Sequence, residues 1–555
     1  MSYLNDEAWE PNKKKILIPA VILAALAVWF WNYVIKAADV SGDVFLIREY
    51  GSVCLLAIGI AAVAGIFLYC SSIDRKLIWL GCALAFGILC MRVLPGLSGP
   101  DEPTHYITAY ALSDTMLFQQ ARDEDGRVMI RARDYVLEDM DKWSESEGTG
   151  TDADDGALSE PRIFGQKVEE QTYRELKYWS IEHKEYDKGM VPSMRTGVIT
   201  TPVVYIPQAL GITLARILNM NSVWLINLGR FFNLAVYLIL VYFAVCRMPF
   251  GGDLMMASAM LPMSINLSAT MSYDAMLIGL SYVYISEVFR LSYGTDIVGP
   301  RDIAILAGTI GLLAPCKMVY TVMIILLLLI PSERYARKPD MVLTWALSAG
   351  LAAVHIALVE SQVIAGFAAA SSNELLYAGG EEGWTIRHII HHPGNAATIC
   401  FDTLMWQLDY WHDTLIGRYL GNTDTGLDVP YFVILILTCS LGLLALGTRS
   451  EDPECDSNGL GRLSKKDRVL IAVLGILLTG LFIGAMFISW TPLNSPVVQG
   501  VQGRYFIPVL PVLLMLFHNK LLKFEKDPSA GIFYAMILCD SFVFIRLFAM
   551  IALKI

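Results

Sequence analysis

The sequence predicts an all-α polytopic membrane protein. Of its 555 residues, 55% are hydrophobic and only 17% are charged, a balance that is typical of integral membrane proteins. Apolar stretches long enough to cross a hydrocarbon core of about 30 Å recur along most of the chain. Lysines and arginines collect in the short loops between these stretches, as they do where such loops face the cytoplasm.

We predict about thirteen transmembrane helices, accompanied by juxtamembrane helices. Their ranges are 16–36, 51–70, 77–95, 223–246, 254–271, 275–292, 302–314, 316–330, 341–365, 429–447, 468–489, 505–521 and 531–552. The first range follows a run of three lysines and has no small-residue cleavage site, so we expect a retained helix rather than a signal peptide.

The basic loops set the orientation of the chain. With these thirteen segments, every basic loop falls on the cytoplasmic side: Lys13–Lys15, Arg75 and Lys76, Arg334 to Lys338, Lys465 to Arg468, and Lys520 to Lys526. This agreement requires that 302–330 form two short segments broken at Pro315. It also requires that the apolar stretch 200–220, interrupted by Pro202 and Pro207, lie along the outer interface.

Two large loops are then predicted outside. Between Asp101 and Arg195, the first loop (96–200) has 22 Asp and Glu against 12 Lys and Arg, a balance of −10 where the whole chain has −11. Such an acidic loop argues against a nucleic-acid partner, and its middle, 144–160, is predicted to be mobile. The second loop, 366–428, is predicted to form interfacial helices with aromatic anchors.

The chain divides into four predicted parts: a cytoplasmic tail with two helices (1–76), a transmembrane core (77–365), the second loop (366–428) and the C-terminal helices (429–555). The ten cysteines show neither a disulfide framework nor a zinc spacing. His388 and His392 are four residues apart, which is a weak metal signal by itself.

The strongest candidate for chemistry follows the third predicted segment, in GPDEPTHYITAYALSD. There Pro100 and Pro103 bracket the adjacent carboxylates Asp101 and Glu102. Adjacent carboxylates at a membrane exit are poor anchors, but they suit a general base or a metal ligand. His105 follows Glu102 by three residues, so both side chains face one side of a short helix. Three roles are open for His105: it assists the carboxylates, it binds a metal, or it is a surface histidine.

Two further sites place charge in apolar stretches, where insertion costs about 2.5–3.5 kcal/mol per charge. Lys317, in LLAPCKMVY, follows the predicted break and is a candidate to bind phosphate as a point charge; the alternative is a lysine that extends to the headgroups. Tyr273 and Asp274, in SATMSYDAML, fall on the same outer side. Three roles are open for Asp274: it caps the next helix, it orients a substrate, or it neutralises Lys317.

Arg504, in VVQGVQGRYFIPVLP, lies where an outer loop re-enters the membrane. Its planar guanidinium suits phosphate oxygens, and the adjacent Gln502 and Tyr505 are candidates to orient a substrate. The alternative is that arginine and tyrosine anchor the helix at the interface. Arg230, in NLGRFFNL, is a second phosphate contact or a structural partner of an acidic group.

Placements from four separate stretches agree on one leaflet. They put an acidic end and a basic end at the same water–lipid boundary: Asp101, Glu102, Asp274, Lys317 and Arg504. This arrangement fits a lipid-linked phosphate donor together with a hydroxyl acceptor that needs a base.

The motifs GPDEPTHYITAYALS, YIPQALGITLARIL, LGRFFNLAVYLILVY, LPMSINLSATMSYDAM, APCKMVY and QGRYFIPVLP together resemble a family of bacterial polytopic membrane proteins of uncharacterised function. The resemblance covers about 77–522. That family is distantly similar to the GT-C glycosyltransferases, which include aminoarabinose and mannose transferases and oligosaccharyltransferases.

The resemblance implies a GT-C-like core in 77–365. Asp101 or Glu102 matches the carboxylate of the first large outer loop in GT-C enzymes, which usually take a sugar from a polyprenyl phosphate or diphosphate. Lys317 and Arg504 match the basic residues that hold the lipid phosphate, and 201–217 resembles a juxtamembrane helix. The chain departs from that pattern in two additional N-terminal helices, a long acidic insert and the lack of a clear second acidic metal motif.

The expected function is therefore an inverting GT-C-type glycosyltransferase in the bacterial plasma membrane, with its active site on the extracytoplasmic face. It would transfer a sugar from a polyprenyl-phosphate donor to a cell-envelope glycan or lipid acceptor. A Mg or Mn ion held by Asp101, Glu102 and His105 is an open alternative. Two other functions stay open: a flippase or transporter of lipid-linked glycans, and a lipid-linked glycan polymerase or ligase.

Overall fold

The computed structural model of the chain describes residues 6–42, 44–137, 172–174, 176–177, 189–195, 197–198, 200–359, 361, 382–421, 428–449, 463–518, 522–524 and 527–553. The acidic segment 144–160 and the first part of the second loop, 366–381, lie outside these residues. So do the predicted basic positions Lys520 and Lys526.

Helices dominate the described residues. In chain order they are α1 (Asp6–Ser41), α2 (Phe45–Cys70), α3 (Arg75–Val93), α4 (Glu102–Met116), α5 (Ile206–Ile217), α6 (Ser222–Arg247), α7 (Gly252–Ala259), α8 (Pro262–Ser268), α9 (Asp274–Tyr293), α10 (Pro300–Leu313), α11 (Lys338–Val359), α12 (Ile386–His391), α13 (Pro393–Trp406), α14 (Leu408–Ile416), α15 (Tyr431–Leu446), α16 (Lys465–Trp490), α17 (Leu510–Leu514) and α18 (Ser529–Ala552).

Short strands and 3-10 helices complete the described structure. Strand β1 (Met129–Arg131) pairs antiparallel with β2 (Met190–Pro192), and β3 (Gly447–Arg449) pairs parallel with β4 (Leu522–Phe524). The 3-10 helices are Ala132–Leu137, Pro202–Tyr205, Met318–Leu329, Ser332–Arg334, Gly503–Val509 and Met515–Phe517.

Eight described helices are long and apolar enough to cross a membrane, so the protein is an all-α polytopic membrane protein. They are α1, α2, α3, α6, α9, α11, α16 and α18. Each coincides with one of the thirteen predicted segments. The other five predicted segments fall on shorter elements, and the count of thirteen stays a prediction.

The shorter elements show where local sequence interrupts a span. The predicted segment 254–271 is two helices, α7 and α8, because Pro262 begins a new helix after Leu261. The predicted break in 302–330 is present: α10 ends at Leu313, and a 3-10 helix runs over Met318–Leu329. At a rise of about 2.0 Å per residue, those twelve residues extend about 24 Å.

Helix α9 fixes the two ends of the bundle. Asp274, at its first turn, bonds to Lys317, whereas the hydroxyl of Tyr293, at its last turn, donates to Asp467 over 2.8 Å. Asp467 lies in the first turn of α16, within the predicted basic loop Lys465 to Arg468. Arg468 beside it donates to the carbonyls of Leu516 and His518. This basic loop therefore lies at the opposite end of the bundle from Lys317.

Close packing fixes helix α5, the predicted interfacial helix. Its twelve residues rise about 18 Å, less than a membrane crossing. A Cβ on Gly211 would stand 2.5 Å from the Leu228 carbonyl oxygen and 2.6 Å from the Gly229 Cα. Only glycine allows α5 and α6 to approach this closely, and the contact places Gln208 of α5 beside the start of α9.

The N-terminal helices pack against the C-terminal one. The Tyr534 hydroxyl of α18 donates to the Ile16 carbonyl of α1 over 3.2 Å, and the Ser541 hydroxyl donates to the Ala57 carbonyl of α2 over 3.0 Å. Alanines at 57, 61 and 64 are buried and let α2 lie close to α18. The first two spans thus pack against the last one.

Candidate functional site

The turn before α4 presents Asp101 to Arg504. Asp101 has a left-handed backbone (φ 55°), which aspartate tolerates better than most residues. Its Oδ2 lies 3.2 Å from Nη2 of Arg504, and the Asp101 side chain is 70% exposed whereas that of Arg504 is 6% exposed. A reachable carboxylate therefore stands against a guanidinium that is held inside the protein.

A second ion pair lies beside the first. Nζ of Lys317 is 3.1 Å from Oδ1 of Asp274, with 25% and 10% of the two side chains exposed. Lys317 is the last extended residue before the 3-10 helix at Met318, and Asp274 begins α9. The break predicted near Pro315 therefore brings this lysine to the N-terminal end of α9.

Tyrosine rings join the two ion pairs. Nζ of Lys317 lies 4.4 Å from the ring centre of Tyr505 and 5.5 Å from that of Tyr273. The Arg504 guanidinium lies 5.7 Å from the Tyr505 ring. Both cations are therefore in the range of attraction to an aromatic face. We call the set the polar cluster: Asp101, His105, Tyr205, Tyr273, Asp274, Lys317, Arg504 and Tyr505.

His105 lies buried within the polar cluster. Its Nδ1 is 2.6 Å from the hydroxyl oxygen of Tyr205, and its ring packs edge-on against Tyr273 with 5.0 Å between centres. Burial lowers the pKa of His105 to about 4, against the opposing pull of the carboxylates Asp101 and Asp274. At neutral pH the imidazole is uncharged and acts through hydrogen bonding.

Glu102 and Arg230 lie apart from the polar cluster, in an ion pair of their own. Oε1 of Glu102 is 3.1 Å from Nε of Arg230, and both side chains are fully buried. Glu102 also accepts from the backbone N–H groups of Gly99 and Met271 over 2.8 and 2.9 Å. Arg230 donates to the Leu94 carbonyl. The structure therefore places both predicted site residues inside the protein, where they are paired with each other.

This pair ties together the two turns that carry the acidic groups. Glu102 holds the turn at Gly99 and the N–H of Met271, three residues before Asp274. The Asn233 amide donates to the carbonyls of Thr270 and Ser272 over 2.8 and 2.9 Å, and Gln208 reaches the Met271 carbonyl. Buried side chains therefore fix the backbone on both sides of the polar cluster.

The three candidate metal ligands do not converge. The Glu102 carboxylate is taken up by Arg230 and two backbone N–H groups, while Asp101 faces Arg504. Across the described part of the chain, no group of three or more His, Cys, Asp or Glu side chains is arranged to hold a metal ion. The donor set does not fit the Mg or Mn ion that the sequence left open.

Gly503 positions Arg504. The backbone at Gly503 crosses α14 so closely that a Cβ there would stand 1.6 Å from the carbonyl oxygen of Trp411. The Gly503 N–H donates to the Thr414 hydroxyl over 2.7 Å. Gln502, a further predicted substrate contact, is half-buried at the start of this segment. The missing side chain at Gly503 therefore admits a neighbouring helix.

Two tyrosines of the site were not predicted from the sequence. Tyr205 contacts His105 and, with 5.9 Å between ring centres, Tyr273. Tyr320 donates to the Tyr505 carbonyl over 2.6 Å and so joins the 3-10 helix of Lys317 to that of Arg504. Both stand in motifs that carry the family resemblance, YIPQALGITLARIL and APCKMVY, and this is the signal that could have found them.

A comparison with protein families gives a match over most of the chain. Residues 84–513 match the family described as "Predicted membrane protein (DUF2142)". The chain belongs to this family. The part that matches DUF2142 contains the whole polar cluster and the Glu102–Arg230 pair, and it begins after α1 and α2. No match is found among curated proteins or among solved structures.

Proposed function

We propose that this DUF2142 protein is a GT-C-type glycosyltransferase that moves a sugar from a polyprenyl-phosphate donor to a cell-envelope glycan or lipid acceptor outside the plasma membrane. The observation that carries the proposal is the exposed carboxylate of Asp101 standing 3.2 Å from a buried arginine, with Lys317 nearby. A base and a phosphate site are what such a transfer requires.

The reaction we propose is a single displacement. The acceptor hydroxyl oxygen forms a bond to the anomeric carbon, while the bond from that carbon to the phosphate oxygen breaks and the phosphate keeps the electron pair. Asp101 takes the hydroxyl proton as general base. Attack opposite the leaving phosphate inverts the anomeric carbon, which agrees with the expectation of an inverting enzyme.

Lys317 and Arg504 supply the positive charge in this proposal. Negative charge develops on the phosphate oxygens as the bond breaks, and fixed cations that are held in place stabilise it at the transition state. In the free protein each cation is balanced by a carboxylate, Asp274 for Lys317 and Asp101 for Arg504. A lipid phosphate would compete for Arg504 and release Asp101 to act as base.

Glu102 and Arg230 take positioning roles in the proposal. Both are fully buried and form an ion pair with each other, so neither is offered as the base or as a phosphate contact. His105, Tyr273, Tyr505 and Gln502 remain proposed as groups that orient the substrate. The uncharged imidazole of His105 suits hydrogen bonding to a sugar hydroxyl, and Tyr273 and Tyr505 keep the cations in place.

The test is transfer by purified protein in lipid, using polyprenyl-phosphate sugars and a cell-envelope extract as acceptor. We expect a glycosylated product from the wild type and a loss of transfer for Asp101→Asn with expression and folding intact. Full activity of Asp101→Asn would remove the assigned base, and growth of chain length with each cycle would point to a polymerase instead.

A transporter of lipid-linked glycans is the second candidate. One observation favours it: Asp540 of α18 is fully buried, and its carboxylate has no hydrogen-bond partner among the described residues. Ionisable groups inside a membrane segment often mark transport pathways. Movement of a lipid-linked glycan across reconstituted vesicles without a new glycosidic bond would support this candidate over the transferase.

A further inference from the structure

A cavity of about 640 Å³ opens at the end of the bundle opposite the polar cluster. Asp527, which lines it, forms a salt bridge of 2.9 Å with Arg75 at the start of α3. Helix α3 then runs to Val93, shortly before Asp101, so the cavity and the polar cluster lie at opposite ends of one membrane-spanning helix. The cavity is thus separate from the proposed transfer site.

The walls of the cavity are apolar and confined to one leaflet. They come mainly from α15, between Leu435 and Leu443, and from α18, between Gly531 and Ala535. Eight residues of helix rise about 12 Å, less than half of a hydrocarbon core of about 30 Å. Leu435 and Leu443 are 45% and 39% exposed, so the groove is open from the side to lipid chains.

Lys15 provides a positive charge at the mouth of this groove. Its Nζ donates to the Asn12 side-chain oxygen over 3.1 Å and lies 5.6 Å from the centre of the Tyr69 ring. Asn12 in turn donates to the Tyr69 carbonyl, which fixes this end of α1 on α2. No carboxylate of the described residues forms an ion pair with Lys15.

Among the described residues that line the groove, Lys15 supplies the positive charge. Lys13 is paired with Glu10 over 2.5 Å. Asp527 is paired with Arg75, which also stands 3.6 Å from Asp253. Lys14 is exposed beside Lys15. The α1 side of the mouth is therefore positive, and the interior of the groove offers hydrocarbon contacts at the depth of one leaflet.

We propose that this groove binds an anionic diacyl phospholipid of the same leaflet. The phosphate diester would contact the Lys15 ammonium, a point charge suited to phosphate, and one acyl chain would lie between α15 and α18. Basic residues beside grooves between membrane helices recognise anionic headgroups in this way. The polyprenyl phosphate of the proposed transfer reaction binds at the other end of the bundle, at Lys317 and Arg504.

The test is lipid binding by the full-length protein in detergent, followed by native mass spectrometry and thermal unfolding. Phosphatidylglycerol, phosphatidylcholine and undecaprenyl phosphate are titrated separately. Lys15→Gln removes the charge, and Ala535→Phe fills the groove from α18. Lys36→Gln, at the other end of α1 and equally exposed, is the matched control for the change in charge.

We expect retained phosphatidylglycerol and a raised Tm for the wild type and for Lys36→Gln. Lys15→Gln should bind about fivefold more weakly, the effect of one lysine near an anionic headgroup, and Ala535→Phe should lose the retained lipid. Equal retention of phosphatidylcholine, or unchanged binding in both groove variants, would overturn the proposal. If undecaprenyl phosphate displaces phosphatidylglycerol from the groove, and Lys15→Gln abolishes this displacement, the groove binds polyprenyl phosphate instead. That result would also overturn the proposal.

Discussion

Asp101 and Arg504, separated by 403 residues in the chain, meet in a salt bridge of 3.2 Å. The carboxylate is exposed and the guanidinium is buried, so a ligand can replace Asp101 at Arg504 but cannot easily move Arg504. The bridge therefore links the proposed base to the proposed phosphate site. A substitution of either residue should alter the behaviour of the other.

Replacing Asp101 by asparagine should separate binding from transfer. The loss of a general base should lower the transfer rate by about 10²–10⁴-fold. Binding of polyprenyl phosphate should become tighter, because Arg504 loses its competing anion. A titration of undecaprenyl phosphate measures the second effect without any turnover. Weaker binding by Asp101→Asn would show that the carboxylate holds the donor rather than competing with it.

Removing either cation should weaken donor binding first. Arg504→Gln and Lys317→Gln each remove a charge from the polar cluster and leave a carboxylate, Asp101 or Asp274, without its partner. We expect a higher KM for the donor, with the acceptor KM little changed. The control is Arg387→Gln, an exposed arginine on the same predicted side. An unchanged donor KM in both cluster variants would remove their phosphate role.

The Glu102–Arg230 pair should control stability. Breaking a fully buried pair leaves one uncompensated charge and costs about 3–5 kcal/mol. Glu102→Gln or Arg230→Met alone should therefore lower Tm strongly in detergent. The double variant Glu102→Gln/Arg230→Met removes both charges and should recover part of the loss. If the double variant is as unstable as the sum of the single variants, the two residues are not coupled.

Gly503 should tolerate no side chain. A Cβ at this position would overlap the Trp411 carbonyl oxygen, 1.6 Å away, so Gly503→Ala must displace α14 or the Arg504 segment. We expect a large fall in Tm together with loss of phosphate binding. Gly480→Ala in α16 is the matched control, because a Cβ there meets nothing within 4 Å. A normal Tm for Gly503→Ala would contradict the close approach of these two segments.

Acid should destabilise the fold through His105. The pKa of this imidazole is about 4 in the folded protein against 6.5 ordinarily, so between these pH values the unfolded chain binds more protons. The contribution of His105 to stability should fall as pH drops from 6.5 to 4, by on the order of 3 kcal/mol, and stay level above that range. Unfolding of His105→Gln should lack this component.

The comparison with His105→Gln also separates His105 from other groups. Burial raises the pKa of Asp114 to about 7, so its contribution runs in the opposite direction: stability falls as pH rises through this range. Asp114 is present in both proteins and cancels in their difference. Identical pH profiles for the wild type and His105→Gln would contradict the buried, uncharged state of His105.

Hydropathy predicted the eight long apolar helices and their order, because an apolar run of sufficient length has few alternatives to a membrane helix. It could not predict that 254–271 is divided, since a proline at position 262 also occurs within continuous kinked helices. The break near Pro315 was predicted because one uninterrupted helix would have moved a basic loop to the wrong side.

The predicted orientation of the loops placed four residues of the polar cluster on the same side of the membrane. Asp101, Asp274, Lys317 and Arg504 were each assigned to one boundary, and the structure joins them in two neighbouring ion pairs. Sequence could not separate Asp101 from Glu102, because adjacent residues at a helix start differ in environment only after packing. The burial of Glu102 against Arg230 depends on α6, which lies more than a hundred residues away.

The most direct measurement is a structure of the purified protein in a lipid nanodisc with added undecaprenyl phosphate. We expect the lipid phosphate within ion-pair distance of Arg504 or Lys317, and Asp101 released from Arg504 and facing the same space. A lipid path that crosses both leaflets, or a phosphate bound elsewhere with the Asp101–Arg504 bridge intact, would contradict it.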